Sequence, residues 1–121
     1  MGTRFSLETS DNGTVLDLTL RGAADIAAAR ELRDELVAAI VTGRDVVVNL
    51  DALDRLDGAG LQLLLAAKAS VERSGHAYSV VAEGGAARRA IELAGAEALF
   101  GAAPEKSSNK QNESEQQEER P

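Results

Sequence analysis

The chain has 121 residues, enough for one small domain with one core, and its aromatic content of 2% leaves that core to Val, Leu, Ile and Ala. There is no cysteine, which excludes disulfides, thiolate metal sites and cysteine nucleophiles, and the single histidine, His76, gives little room for a His-rich metal site or a Ser-His triad. A net charge of -7 argues against nucleic acid or an anionic membrane as partner, since either needs a basic face.

No apolar run approaches the roughly 18 residues of a membrane span, so no membrane insertion is expected. The start, Met1-Gly-Thr-Arg-Phe5, lacks the apolar region of a signal peptide, and Met1-Gly2 with Ser6 is a weak myristoylation pattern. A cytoplasmic location is the expectation.

Arg4 to Thr9 alternates, with Phe5 and Leu7 on one face. Ser10-Asp-Asn-Gly13 is a turn cluster, and Leu16, Leu18 and Leu20 share a face opposite Asp17 and Thr19. The two runs predict a β-hairpin that Arg21-Gly22 ends. Asp25 is placed as the N-cap of a helix from Ile26 to about Val41, whose inward stripe is Ile26, Ala29, Leu32, Leu36, Ala39 and Ile40. Gly43 is its C-terminal cap.

Val46 to Leu50 is a β-branched run that reads as a buried central strand. A polar turn carrying Asp51, Asp54 and Asp57 is expected next. Gly58-Ala-Gly60 then opens a helix of about Ala59 to Arg73, in which Leu61, Leu64, Leu65, Ala67, Lys68 and Val71 include a core stripe that Leu63 widens. Ser74-Gly75 stops it. Ala77 to Ala82 is a further strand, and Glu83-Gly84-Gly85 turns the chain. A third helix of about Ala86 to Ala94 places Ala90, Ile91, Leu93 and Ala94 inward. Ala96 to Phe100 is a helical turn or a short edge strand.

From Pro104 the composition turns polar, with five glutamates against Lys106, Lys110 and Arg120. Such a segment buries too little to offset ordering entropy, so 1–103 is expected to be the domain and 104–121 a disordered tail, either a solvated end or a linker. The order ββαβαβα predicts an α/β domain. Its small mixed sheet has an N-terminal hairpin followed by parallel strands, covered by helices and joined by right-handed crossovers.

The chemistry concentrates where the central strand meets the second helix, at the carboxyl edge of the sheet where ligands and partners usually bind. Three carboxylates at every third position, Asp51, Asp54 and Asp57, suggest a hard-cation or catalytic site. However, an EF-hand loop needs ligands two apart and a later glutamate, and turn formation or capping explains the same residues. A phosphoryl receiver is a second reading, because Val46-Val-Val-Asn-Leu-Asp51 looks like the strand that carries a phospho-accepting aspartate. Glu8 and Asp11 do not form the adjacent acidic pair that a receiver needs for Mg²⁺. The late lysine it needs is also absent, since the lysines after Lys68 fall in the tail.

The third reading is a resemblance. Val46-Val47-Val48-Asn49-Leu50-Asp51, Leu53, Leu56-Asp57-Gly58-Ala59-Gly60-Leu61 and Leu63-Leu64-Leu65-Ala66 resemble the STAS domain family, whose best-known members are anti-sigma factor antagonists. Val15 to Gly22 is similar to the family's second strand, and Ser74-Gly75-His76 to Ala82 to a later one, so the likeness covers roughly residues 4–100. It implies a STAS-type fold and a non-enzymatic binding protein without cofactor or metal. The implied partner is a histidine-kinase-like anti-sigma/serine kinase or a chemotaxis-type protein. An alternative partner is an ABC ATPase served by a cytoplasmic STAS subunit in lipid transport. An Asp phospho-acceptor role stands behind both. The chain itself is expected to be a monomer or weak dimer. The family's phosphorylated Ser or Thr follows the aspartate directly, and here that position is Gly58, so the phosphoswitch is lost or moved. The expected interface is Asp54, Arg55, Asp57, Gly58, Ala59 and Gln62, with nearby polar positions of the hairpin. Asp57 is open to two roles, helix capping and partner contact, and Leu61 is assigned to the core.

Overall fold

The computed structural model describes residues 4–100. Strand β1 (Ser6–Asp11) turns through Asn12-Gly13 into β2 (Val15–Ala24), and the side chain of Asn12 accepts from the amides of Thr14 and Val15 at 3.0 and 2.8 Å. A 3₁₀ turn, Ile26–Ala28, leads into α1 (Ala29–Val41). Strand β3 (Asp45–Leu56), helix α2 (Gly58–Arg73), strand β4 (Tyr78–Val81) and helix α3 (Gly85–Leu93) follow, and a 3₁₀ turn at Glu97–Leu99 closes the described chain.

The four strands form one sheet in the order β1-β2-β3-β4. The first pair is antiparallel and the other two are parallel. This is the mixed α/β sheet expected from the hairpin followed by strand–helix–strand units. Successive crossovers of one hand, running in one direction across the sheet, place their helices on one face, and α1 and α2 pack against each other.

The side-chain alternation of the strands builds the core beneath them. Leu16, Val46 and Tyr78 stand side by side across β2, β3 and β4, and Leu18, Val48 and Val80 form the next row. All six are buried. Leu32, Leu36 and Ala39 of α1 and Leu64, Ala67 and Val71 of α2 are buried with them. Each fully enclosed Leu or Val here contributes about 1.5–3 kcal/mol through removal from water. The Tyr78 hydroxyl donates to the Leu64 carbonyl at 3.0 Å, tying β4 to α2, and burial pushes the phenol well above its usual range.

Two boundaries differ from the sequence reading in a way that shapes the site. Arg21-Gly22 does not end β2, and Asp51 and Asp54 lie on β3 rather than in a turn. The two extensions pair with each other, Gly22 with Leu53 beyond a register shift at Thr19/Arg21, and Ala24 with Leu56 beyond a second at Gly22/Ala23. Extra residues let the strands bend past the point where strict alternation stops. Gly22 has φ +83°, and a Cβ there would lie 2.1 Å from the Arg4 carbonyl oxygen, so only glycine passes. Asp51 accepts from the Glu83 amide at 2.7 Å, which ties the end of β4 to β3.

Three apolar residues placed inward by spacing face solvent: Ile26 is 75% exposed, Leu93 82%, and Ala94, which caps the C-terminus of α3, is exposed too. Ile26 sits in the 3₁₀ turn before α1, where the 3.6-residue period does not yet apply. At the other end of the chain the inward face of α3 is Ala87 and Ile91, and Leu93 lies off it. Ala96 to Phe100 resolves as the helical turn. The tail expected over 104–121 lies outside the described residues.

Candidate functional site

The site is built on a single carboxylate. Asp57 is the N-cap of α2, in extended backbone geometry, and its Oδ1 accepts from the amides of Ala59 (3.0 Å) and Gly60 (3.2 Å). These are among the unpaired donors that open any helix. Its Oδ2 accepts from the Ile26 amide at 3.2 Å, thirty-one positions earlier in the chain. One side chain therefore joins the start of α2 to the turn that precedes α1. The main chain repeats the link, because the Asp57 amide donates to the Ala24 carbonyl at 3.2 Å. The negative charge also lies where the partial positive charge of the α2 N-terminus favours it.

Asp25 does the same work for the 3₁₀ turn. Its Oδ1 accepts from the Ala27 and Ala28 amides at 3.1 and 3.3 Å, and its Oδ2 stands 4.0 Å from Arg55 Nε. The amides of residues 26, 27 and 28 are thus all held by carboxylates, one from Asp57 and the others from Asp25.

The glycines on either side of Ala59 differ in kind. A Cβ on Gly60 would meet the Ala24 carbonyl oxygen at 2.5 Å and Leu56 Cδ1 at 2.9 Å, so α2 crosses the end of β2 too closely for any side chain. A Cβ on Gly58 would meet nothing within 4 Å. Gly58 is exposed, and its φ lies outside the left-handed region.

The six residues expected at the interface lie on two adjoining elements. Asp54 and Arg55 are exposed at the end of β3, and Asp57, Gly58, Ala59 and Gln62 lie at the start of α2. Gly58 and Gln62 are both exposed and, four residues apart on the helix, share one face. Asp57 and Ala59 are half-buried, and Leu61 is buried as assigned. The capping role considered for Asp57 is realised. Asp51 and Asp57 are engaged in separate amide contacts. Among the described residues no three His, Asp or Glu side chains gather as a metal set. Ile26 was not anticipated at this surface. An aspartate cap directly before an isolated β-branched residue was the signal available for it.

Residues 7–101 match the family described as Mlab, STAS domain. The chain belongs to the STAS domain family. No curated protein matches it in sequence. Among solved structures it is similar to an anti-sigma factor antagonist from Mycobacterium paratuberculosis, at 26% identity and a TM-score of 0.74 over 84% of this chain and 87% of that one. It is also similar to the anti-sigma factor antagonist SpoIIAA in its unphosphorylated form, at 18% identity and a TM-score of 0.65 over 88% and 90% of the two chains. The phosphorylated form of SpoIIAA, a Bacillus cell fate determinant, gives 18% identity and a TM-score of 0.61 over 88% and 93%. The two SpoIIAA likenesses speak to the fold alone. Among the described residues no helix is long and apolar enough to cross a membrane.

Proposed function

We propose that this STAS domain is a non-catalytic, partner-binding protein of bacterial signalling. In this reading it acts in the cytoplasm as an anti-sigma factor antagonist-like protein, docking on a histidine-kinase-like ATPase in a sigma-factor or chemotaxis-type pathway. The surface it uses is the start of α2 with the end of β3: Asp54, Arg55, Asp57, Gly58, Ala59 and Gln62.

The observation that carries the reading is Gly58, an exposed first residue of α2 with open space around it and no hydroxyl. A phosphate at such a place would sit against the free amides of a helix N-terminus and recharge the docking surface. Here nothing can be phosphorylated at that point. From Leu20 to Ala69 the only hydroxyl-bearing residue is Thr42, and Thr42 lies at the far end of α1, its hydroxyl donating to the Ala39 carbonyl. Docking is therefore permanent in this reading, governed by the amount of protein and not by a phosphoswitch.

A permanent docking surface equally suits a second system, a STAS subunit held on an ABC ATPase in lipid transport, where no switch is needed. The two are separated by recovery from lysate of the source cell. With the full chain as bait beside its Gly58→Asp variant, a histidine-kinase-like ATPase retained by the wild type alone supports the signalling reading. An ABC ATPase moves the protein to the transport reading. Equal retention by both baits removes the surface from α2.

A further inference from the structure

Ile26 is the largest apolar side chain exposed where the two helix starts meet. It is 75% exposed and is followed by the exposed Ala27; its amide is bonded to Asp57, the residue before the exposed Gly58. It is also held in place. Its own amide is bonded to Asp57 Oδ2 at 3.2 Å, and the amides of Ala27 and Ala28 are bonded to Asp25 Oδ1 at 3.1 and 3.3 Å. Three successive backbone donors are fixed by two carboxylates, Asp25 at the start of the turn itself and Asp57 at the start of α2. A solitary exposed isoleucine needs no explanation. One mounted on a turn pinned in this manner is different, because its presentation costs a binding partner little ordering entropy.

We propose that Ile26 is the apolar anchor of the docking surface, inserting into an apolar pocket of the protein partner whose rim carries Lys or Arg. The rim chemistry follows from charge. Asp25 and Asp57 touch the anchor's own turn, Asp54 is exposed at the end of β3, and Arg55 stands against Asp25. The surroundings of the knob are acidic within a chain of net charge -7, and complementary basic groups on the partner steer its approach. Well-packed apolar anchors at the centre of an interface, ringed by weaker polar contacts, supply most of the affinity in protein complexes. The inference rests on the docking reading above and adds the residue and the pocket chemistry that carry it.

The test is a calorimetric titration of the ATPase identified by that recovery, purified, with the full chain. Wild type, Ile26→Ser, Ile26→Leu, Gly58→Asp and Leu93→Ser are compared. Leu93 is as exposed as Ile26 but lies on α3. Ile26→Ser is expected to weaken binding about 10- to 100-fold with an unchanged melting temperature, as loss of a hot-spot side chain does. Ile26→Leu is expected to stay within about threefold of wild type, and Leu93→Ser to bind as wild type does. Wild-type affinity in Ile26→Ser together with a loss in Gly58→Asp overturns the anchor and leaves the docking surface standing. Wild-type affinity in both variants overturns the two together. Self-association of the chain alone that Ile26→Ser abolishes assigns the knob to a second copy and overturns the partner assignment.

Discussion

Replacing each of the two glycines that flank Ala59 with alanine should move stability in opposite directions. In Gly60→Ala the new methyl is placed 2.5 Å from the Ala24 carbonyl oxygen, where an ordinary carbon–oxygen contact is about 3.3 Å. Either α2 or the end of β2 must then give by about 0.8 Å. The atom in the way is backbone and already accepts from the Asp57 amide at 3.2 Å, so the shift strains the bond that joins β2 to the start of α2. Overpacking costs about 1–3 kcal/mol, and the strained hydrogen bond adds about 1 kcal/mol. The better helix propensity of alanine returns about 1 kcal/mol. The net loss is about 1–3 kcal/mol, a fall in melting temperature of roughly 5–15 °C for a domain of this size. Gly58→Ala meets nothing within 4 Å, so reduced chain entropy in the unfolded state raises stability by about 0.4–1 kcal/mol. Thermal unfolding followed by far-UV circular dichroism measures both. A Gly60→Ala variant that melts at or above wild type would refute the close approach of α2 to Ala24.

Other consequences are as direct. Asp57→Ala removes the acceptor of the Ala59, Gly60 and Ile26 amides and should cost about 1–3 kcal/mol in urea unfolding. Asp57→Asn keeps the α2 cap but loses the charge, and should fall between the two; an alanine variant as stable as wild type contradicts the double cap. Tyr78→Phe should lose about 1 kcal/mol with the hydrogen bond to Leu64. Burial raises the folded pKa of that phenol, so its contribution to stability is whole below the unfolded value of about 10 and is lost as pH rises past it. The chain has one tyrosine, so ultraviolet titration reads it alone. Tyrosinate should appear only with unfolding, and ionisation near pH 10 with the fold intact contradicts the burial. Gly58→Asp and Gly58→Ser should both fold normally, because the space is open, and melting temperatures within about 3 °C of wild type check it.

Most of the fold is legible because apolar periodicity and end signals agree along the chain. Asp25, Asp57 and Gly58-Ala-Gly60 mark helix starts, and β-branched runs mark β3 and β4. The departures in β3 and at the site share one cause, that the deciding contact is distant in sequence. Asp51 and Asp54 carry turn chemistry locally, yet they become strand because Arg21 to Ala24 offers them a pairing partner. Leu93 and Ile26 fit a helical count but fall at helix ends, where the face has rotated or not yet begun. In the same manner capping by Asp57 can be read from its neighbours, but its bond to the Ile26 amide cannot. Gly60 shows its reason only when Ala24 is set beside it. The candidate interface was legible as a segment. The exposed Ile26 bonded to Asp57 was not, because it comes from the other helix start.

The central claim is that a protein partner docks where the starts of α2 and of the turn before α1 meet. It is tested most directly by amide chemical-shift mapping of the isotope-labelled chain on titration with the purified partner ATPase. The account predicts that perturbed amides cluster at residues 25–28 and 54–62. Perturbation confined to the groove between α1 and α2, around Val37, Ile40 and Leu63, or to β1, with 25–28 and 54–62 unmoved, would contradict it.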